Sequence, residues 1–198
     1  MVLIEKYRKI PLIQKAAAPQ KRKGYVGSIT AVYYLIFLLA AAWAVMQVYM
    51  YHALGTYAED ALAASNLASA VIDIQEYGIT HSITVQTPDN AYLLYQKALK
   101  ANMGLDDSWM SANGNAISGR VQIVDYIVYN VKPPNVEIYS YGSNPYSTVA
   151  AGGLGSVRAP NGTIIESTSI YSRITFPVEG VFGIQTTAVK DKLVDIVD

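Results

Sequence analysis

Residues 25–51 read Tyr25-Val-Gly-Ser-Ile-Thr-Ala-Val-Tyr-Tyr-Leu-Ile-Phe-Leu-Leu-Ala-Ala-Ala-Trp-Ala-Val-Met-Gln-Val-Tyr-Met-Tyr51. They lie within a run of 35 residues, Gly24 to Ala58, that contains no Asp, Glu, Lys or Arg. About 20 apolar residues carry a helix across the hydrocarbon core of a bilayer. A charge at that depth costs a few kcal/mol, and this stretch has none. The run therefore predicts a transmembrane helix over 24–54, and the rest of the chain is organised around it.

The formal charge of zero hides a division. Before Tyr25 stand Lys6, Arg8, Lys9, Lys15, Lys21, Arg22 and Lys23 against Glu5 alone; from Tyr25 onward, eight basic residues face fourteen acidic ones. Basic residues close to a span are retained on the cytoplasmic side. Residues 1–23 thus read as a basic cytoplasmic leader or tail, with the C-terminal part extracytoplasmic, rather than as a nucleic-acid patch. Ala40-Ala41-Ala42 and Ala42-Trp43-Ala44 fit the small-x-small pattern of a signal-peptide cleavage site. The apolar run continues past them through Met50, longer than a secretory core, which favours a retained single-pass anchor.

Beyond the span the helical pattern continues. Tyr57 to Tyr77 contains no Pro or Gly, and Leu67, Val71 and Ile74 recur at helical spacing on one face, apart from Glu59, Asp60, Asp73 and Glu76. Residues 55–78 therefore read as an amphipathic stalk helix, with Gly55 its softest point and Gly78 its stop. Span and stalk together make one helix of about 50 residues, roughly 75 Å at 1.5 Å per residue. Leu67, Val71 and Ile74 are its candidate helix-packing residues. Alanines and serines crowd the same segment; they suit close helix packing, and alanine is also simply the best helix former.

Residues 79–198 read as a small α+β domain. Ile79–Gln86 is strand-like. Thr87, Pro88 and Asp89 form a helix start, Ala91, Leu94, Tyr95, Ala98 and Leu99 keep one apolar stripe, and Gly104 ends it. Val121–Val131 and Val136–Tyr141, split by Pro133-Pro134, have strand composition. Gly142–Gly162 reads as a long surface loop ending in an Asn161-Gly162 turn. Thr163–Ile165, Ser169–Phe176 and Val181–Val189 read as further strands, with turn signals at Pro177 and Glu179-Gly180. The fold class is thus α+β: a long N-terminal helix, then an antiparallel sheet with one packed helix. Sixteen tyrosines against three phenylalanines suit half-buried strand faces and membrane interfaces.

Catalytic patterns are scarce. The absence of cysteine excludes disulfides, thiolate nucleophiles and Cys-ligated zinc. His52 and His81 are the only histidines, and neither has metal or triad spacing. Gly152-Gly153-Leu154-Gly155-Ser156 lacks the spacing of a phosphate cradle. Asp106-Asp107-Ser108, near Asn113 and Asn115, offers oxygen ligands of the kind calcium takes, without EF-hand spacing, and a polar turn explains it equally. Asn161-Gly162-Thr163 is a formal glycosylation sequon. No catalytic residue, cofactor or metal is expected, and the chain is read as a non-enzyme.

A basic leader ending in Lys21-Arg22-Lys23-Gly24, a helix hydrophobic then amphipathic, and a small α+β domain together resemble type IV pilin-like proteins. The layout is most similar to the TadE-like pseudopilins of tight-adherence pilus systems, whose C-terminal part the strands around Ser169–Pro177 and Val181–Val189 resemble. The resemblance implies cleavage between Gly24 and Tyr25 by a prepilin-type peptidase. It also implies assembly with itself or other pilin-like subunits through the N-terminal helix, as a structural subunit of a surface filament or secretion apparatus. The family carries a glutamate five residues after the cut; Ile29 stands there. Composition and topology alone fit equally a membrane-anchored ectodomain acting as adhesin, sensor or assembly factor.

Overall fold

The computed structural model of the chain describes residues 23–112, 117–180 and 183–196. Two compact units divide it, residues 1–43 and 44–198. The basic leader up to Arg22 lies outside the described residues, as do Asn113 and Asn115.

Helix α1 runs from Lys23 to Ser69. It passes Gly55 without a break, so the expected soft point is helical. It does not reach Gly78, which corrects the continuous stalk over 55–78. The cause lies in Val71-Ile72-Asp73, where two β-branched residues precede a carboxylate that competes for backbone N–H groups. Ile72 bridges Val85, the Asp73 N–H donates to the Thr84 carbonyl (2.8 Å), and the Gln86 N–H donates to the Val71 carbonyl (2.9 Å). Asp73 then caps a new short helix, α2 (Ile74–Thr80), its carboxylate accepting from the Gln75 and Glu76 amides. Gly78 sits inside α2, and His81, in the left-handed region at φ 55°, ends it. Consequently Ile79–Gln86 is not a strand: its first residues are helical and only Val85 makes a ladder contact.

Helix α3 (Pro88–Met103) matches the sequence pattern at both ends. Thr87 precedes it, Pro88 opens it, and Gly104 closes it at φ 61°. Ala91, Tyr95, Leu99 and Met103 form its buried stripe.

The sheet contains, among the described residues, β1 (Gln122–Lys132), β2 (Asn135–Gly142), β3 (Tyr146–Ala150), β4 (Ser169–Glu179) and β5 (Gln185–Asp195). Their order is β3-β2-β1-β4-β5, with every neighbouring pair antiparallel. The α+β class is thus observed. Strand β3 lies inside the stretch expected as loop. Its five residues are mostly exposed and therefore show no burial alternation to announce them. Strand β4 continues through Pro177, where an end was expected. The Pro177 carbonyl accepts from the Ser118 amide, so its missing N–H points away from β5 and costs that ladder nothing. Strand β5 starts at Gln185 and runs to Asp195, later at both ends than expected; Val181 lies outside the described residues.

Both faces of the sheet are covered. On one, Tyr126, Val128, Ile170, Ile174 and Phe176 pack against Ala58, Leu62, Tyr95 and Leu99 of the helices. On the other, Ile127, Tyr129, Val136, Ile138 and Tyr171 lie under Ala159 and Ile165, from the connection between β3 and β4. That connection folds on itself through the Arg158–Ile164 bridge and the exposed turn at Asn161-Gly162.

Candidate functional site

Helix α1 offers the strongest functional signal, because the large apolar residues of its first half are exposed. Ile36, Phe37, Leu38 and Leu39 follow one another and are 57, 68, 61 and 62% exposed. At about 100° per residue, four consecutive residues look out around nearly the whole circumference. The same exposure covers Val32 to Leu35, and Val45, Met46, Val48 and Tyr49. No face of this stretch is reserved for a protein core. An apolar helix long enough to cross a membrane is present near the N-terminus.

From Tyr51 onward α1 is held by the C-terminal domain. Ala58, Ala61, Leu62, Ser65, Asn66 and Ser69 are buried at steps of three and four residues. Small side chains here let the helix lie close to β4 and β5, so polar groups can reach their backbones. The Asn66 side-chain amide donates to the carbonyls of Ile170 (3.3 Å) and Lys192 (3.1 Å). The Ser69 hydroxyl donates to the Asn66 carbonyl and shares a 2.8 Å hydrogen bond with the Tyr126 hydroxyl. Tyr57 donates to the Asn102 carbonyl at the end of α3 (2.8 Å), and Lys190 pairs with Glu59 at 2.6 Å. That pairing, by hydrogen bond and by charge, holds the Glu59 carboxyl below its ordinary range. A Cβ at Gly55 would stand 3.1 Å from the Lys190 ammonium, so the glycine leaves room for the lysine to reach Glu59.

The candidate helix-packing residues Leu67, Val71 and Ile74 are not part of that buried stripe. Leu67 is exposed on α1, Val71 lies in the extended link after it, and Ile74 begins α2 at 80% exposure. They do not share one helical face. The stripe that is buried could have been found from its spacing, but its members are small or polar and carry little hydrophobic weight. Gly24 and Tyr25 lie in the first turns of α1.

The remaining candidates make local contacts. Asp106 accepts from the amides of Ser108 and Met110, and Asp107 pairs with Lys100 at 3.4 Å across an exposed surface. Among the described residues no three His, Cys, Asp or Glu side chains gather around a common point. His52 is exposed on α1, and His81 meets the edge of Tyr77. Asn161 accepts from the Thr163 amide within its own turn. The tyrosines group between α3 and the sheet, Tyr92 stacked on Tyr141 at 5.0 Å and Tyr95 tilted against Tyr126 at 4.6 Å. Burial raises the hydroxyls of Tyr95, Tyr126 and Tyr141, and pushes Tyr171 up to about 12 on the other face. These rings stay neutral and serve as packing surface; the Tyr126 hydroxyl also bonds Ser69, and the Tyr141 hydroxyl donates to Asp89.

No protein-family model, curated protein or solved structure matches the chain.

Proposed function

We propose that the chain is a pilin-like structural subunit, major or minor, of a cell-surface filament or secretion apparatus. It is held first as a single-pass membrane protein with a cytoplasmic N-terminus, and then assembled through α1 with copies of itself or other pilin-like subunits. The reading rests on one observation: the stretch from Val32 to Tyr49 is apolar, uncharged and exposed on every side. Lipid covers such a surface in the membrane, and neighbouring helices cover it in a filament. The Lys21-Arg22-Lys23-Gly24 boundary supports processing before Tyr25 by a prepilin-type peptidase. The C-terminal domain has the role of a folded head, without catalytic work.

One observation favours a second reading, an anchored ectodomain that stays in the membrane as adhesin, sensor or assembly factor. Ile29 stands where the pilin-like family carries the glutamate that neutralises a neighbour's new N-terminal amine. A buried unpaired amine is expensive, so a chain without that partner is better served by an unprocessed anchor.

The intact mass of the chain in native cells separates the two. A mass beginning at Tyr25 in mechanically sheared surface material supports the filament. A mass that retains the leader, recovered only with detergent, supports the anchor and removes the pilin reading. Within the filament reading, the exposed Leu67, Val71 and Ile74 remain free to meet a neighbour. Ile74→Asp is then expected to abolish filaments while the domain keeps its melting temperature; normal filaments from this variant would exclude that contact.

A further inference from the structure

The end of β4, at Glu179 and Gly180, lies against α1 at the end of the apolar run. The Tyr51 hydroxyl donates to the Glu179 carbonyl at 3.1 Å, and a Cβ at Gly180 would stand 3.1 Å from that hydroxyl. The Gly180 amide donates to the Ile184 carbonyl at 2.6 Å, and Gly183 turns the chain at φ 75°. Ile184, directly after this turn, is 66% exposed.

Two elements become charged at the same level. On α1 the first charge after the apolar run is Glu59; on β5 the first charge after the turn is Lys190, and the two pair at 2.6 Å. Between Lys23 and that pair, α1 carries no Asp, Glu, Lys or Arg and one histidine, His52, and the sequence from Gly180 to Val189 carries no charge at all. Glu179, at the end of β4, is itself exposed. Counting about 20 residues from Gly24 uses up the hydrocarbon thickness near residue 44. The headgroup layer, several Å deep on each side, takes roughly another four or five residues at 1.5 Å each. Tyr49 and Tyr51 therefore fall at the outer interface, where tyrosine rings collect.

We infer that Ile184, where the chain enters β5, is a second foot of the protein on the membrane, set into the lipid interface on the side of the domain that Tyr51 holds through Glu179. This inference rests on the reading of α1 as a membrane span. Its partner is the bilayer surface itself, and the hydrogen bond from Tyr51 to Glu179 fixes the end of β4 at that height.

The absence of cysteine makes the test direct, since an introduced cysteine is unique. The full chain carrying Ile184→Cys, Met46→Cys or Thr163→Cys is spin-labelled and placed in nanodiscs of phosphatidylcholine with phosphatidylglycerol. Collision with oxygen, which concentrates in lipid, is compared with collision with a water-soluble nickel chelate. All three positions are exposed, so the fold tolerates the label. The expected result is an oxygen-to-nickel ratio at residue 184 several-fold above that at residue 163 and below that at residue 46. A ratio at 184 equal to that at 163, with 46 lipid-like, overturns the foot and leaves the span standing. Low collision with both reagents at 184 also overturns it, as a protein contact there would produce. A water-like ratio at 46 removes the span, and the inference with it.

Discussion

Within α1 the stretch before Tyr51 and the stretch after it reverse the usual rule of burial. Before Tyr51, the exposed residues include Leu35, Ile36, Phe37, Leu38, Leu39, Val45 and Met46; after it, the buried ones include Ala58, Ala61, Ser65, Asn66 and Ser69. In water, large apolar groups go inside, and buried polar groups require partners. The second stretch largely obeys that rule: the Ser65 and Ser69 hydroxyls and the Asn66 amide nitrogen are bonded, and the Asn66 side-chain oxygen is the one buried polar atom among them left without a partner. The first stretch breaks it throughout, as a helix long and apolar enough to cross a membrane does. Composition changes along one helix accordingly: bulk and hydrophobicity where α1 is exposed, small size and amide chemistry where it lies on its own sheet.

The sharpest way to break this comparison is to truncate one leucine in each stretch. Leu62 is fully buried between α1 and the sheet, and Leu62→Ala is expected to cost the C-terminal domain about 2–5 kcal/mol. Leu38→Ala, at a position 61% exposed, is expected to leave the melting temperature of the domain in detergent unchanged. Leu38→Arg reverses the assay: membrane insertion weakens by roughly 2.5–3.5 kcal/mol at the centre of a span, read as alkali-extractable protein, with domain melting again unchanged. If Leu38→Ala melts the domain as readily as Leu62→Ala does, the two stretches share one environment.

How much of this could be read from residues alone depended on how local the cause was. Helix α3 was legible from Thr87 to Gly104 because its start, stripe and stop are all written within it. The apolar helix was legible from composition. The end of α1 was not, since it is decided by Val71 and Asp73 pairing with Thr84 and Gln86, more than ten residues away. Strand β3 was hidden because Gly, Asn and Pro surround it and neither face of Tyr146–Ala150 is well buried. The continuation of β4 through Pro177 required knowing which side its carbonyl faces. At the candidate site, the buried stripe from Ala58 to Ser69 has helical periodicity, yet its members are mostly small or polar, and only the sheet lying against them shows that they are buried. The contact of Tyr51 with Glu179 joins positions more than a hundred residues apart and has no local signature.

A finer probe of the second stretch is Asn66. It supplies both of its side-chain N–H donors to carbonyls of β4 and β5. Asn66→Ala removes them from a buried site, for an expected loss of about 1–3 kcal/mol. Asn66→Asp should cost more, since it also buries a carboxylate facing carbonyl oxygens. Hydrogen exchange at the α1–sheet contact is the informative readout: exchange should rise along residues 58–69 in both variants, while Leu38→Ala leaves it alone. Unchanged protection in Asn66→Ala would mean that apolar packing around Leu62 holds the contact by itself.

The smallest effect belongs to the Lys190–Glu59 pair, at the level where α1 acquires its first charge. Both side chains are part exposed, so the pair contributes at most about 1 kcal/mol. Its pH dependence is nevertheless diagnostic. The Glu59 carboxyl is held below its ordinary range by Lys190 in the folded protein, so the folded state binds that proton less readily than the unfolded chain. The stabilisation is complete above the ordinary glutamate range and disappears as pH falls through the lowered value. Glu59→Gln should therefore reduce stability slightly at neutral pH and match the natural chain in acid, with the difference shrinking as salt is added. A difference that persists at low pH would assign the effect of Glu59 to packing against β5 rather than to charge, and the start of charge on α1 would then say nothing about where the low-dielectric region ends.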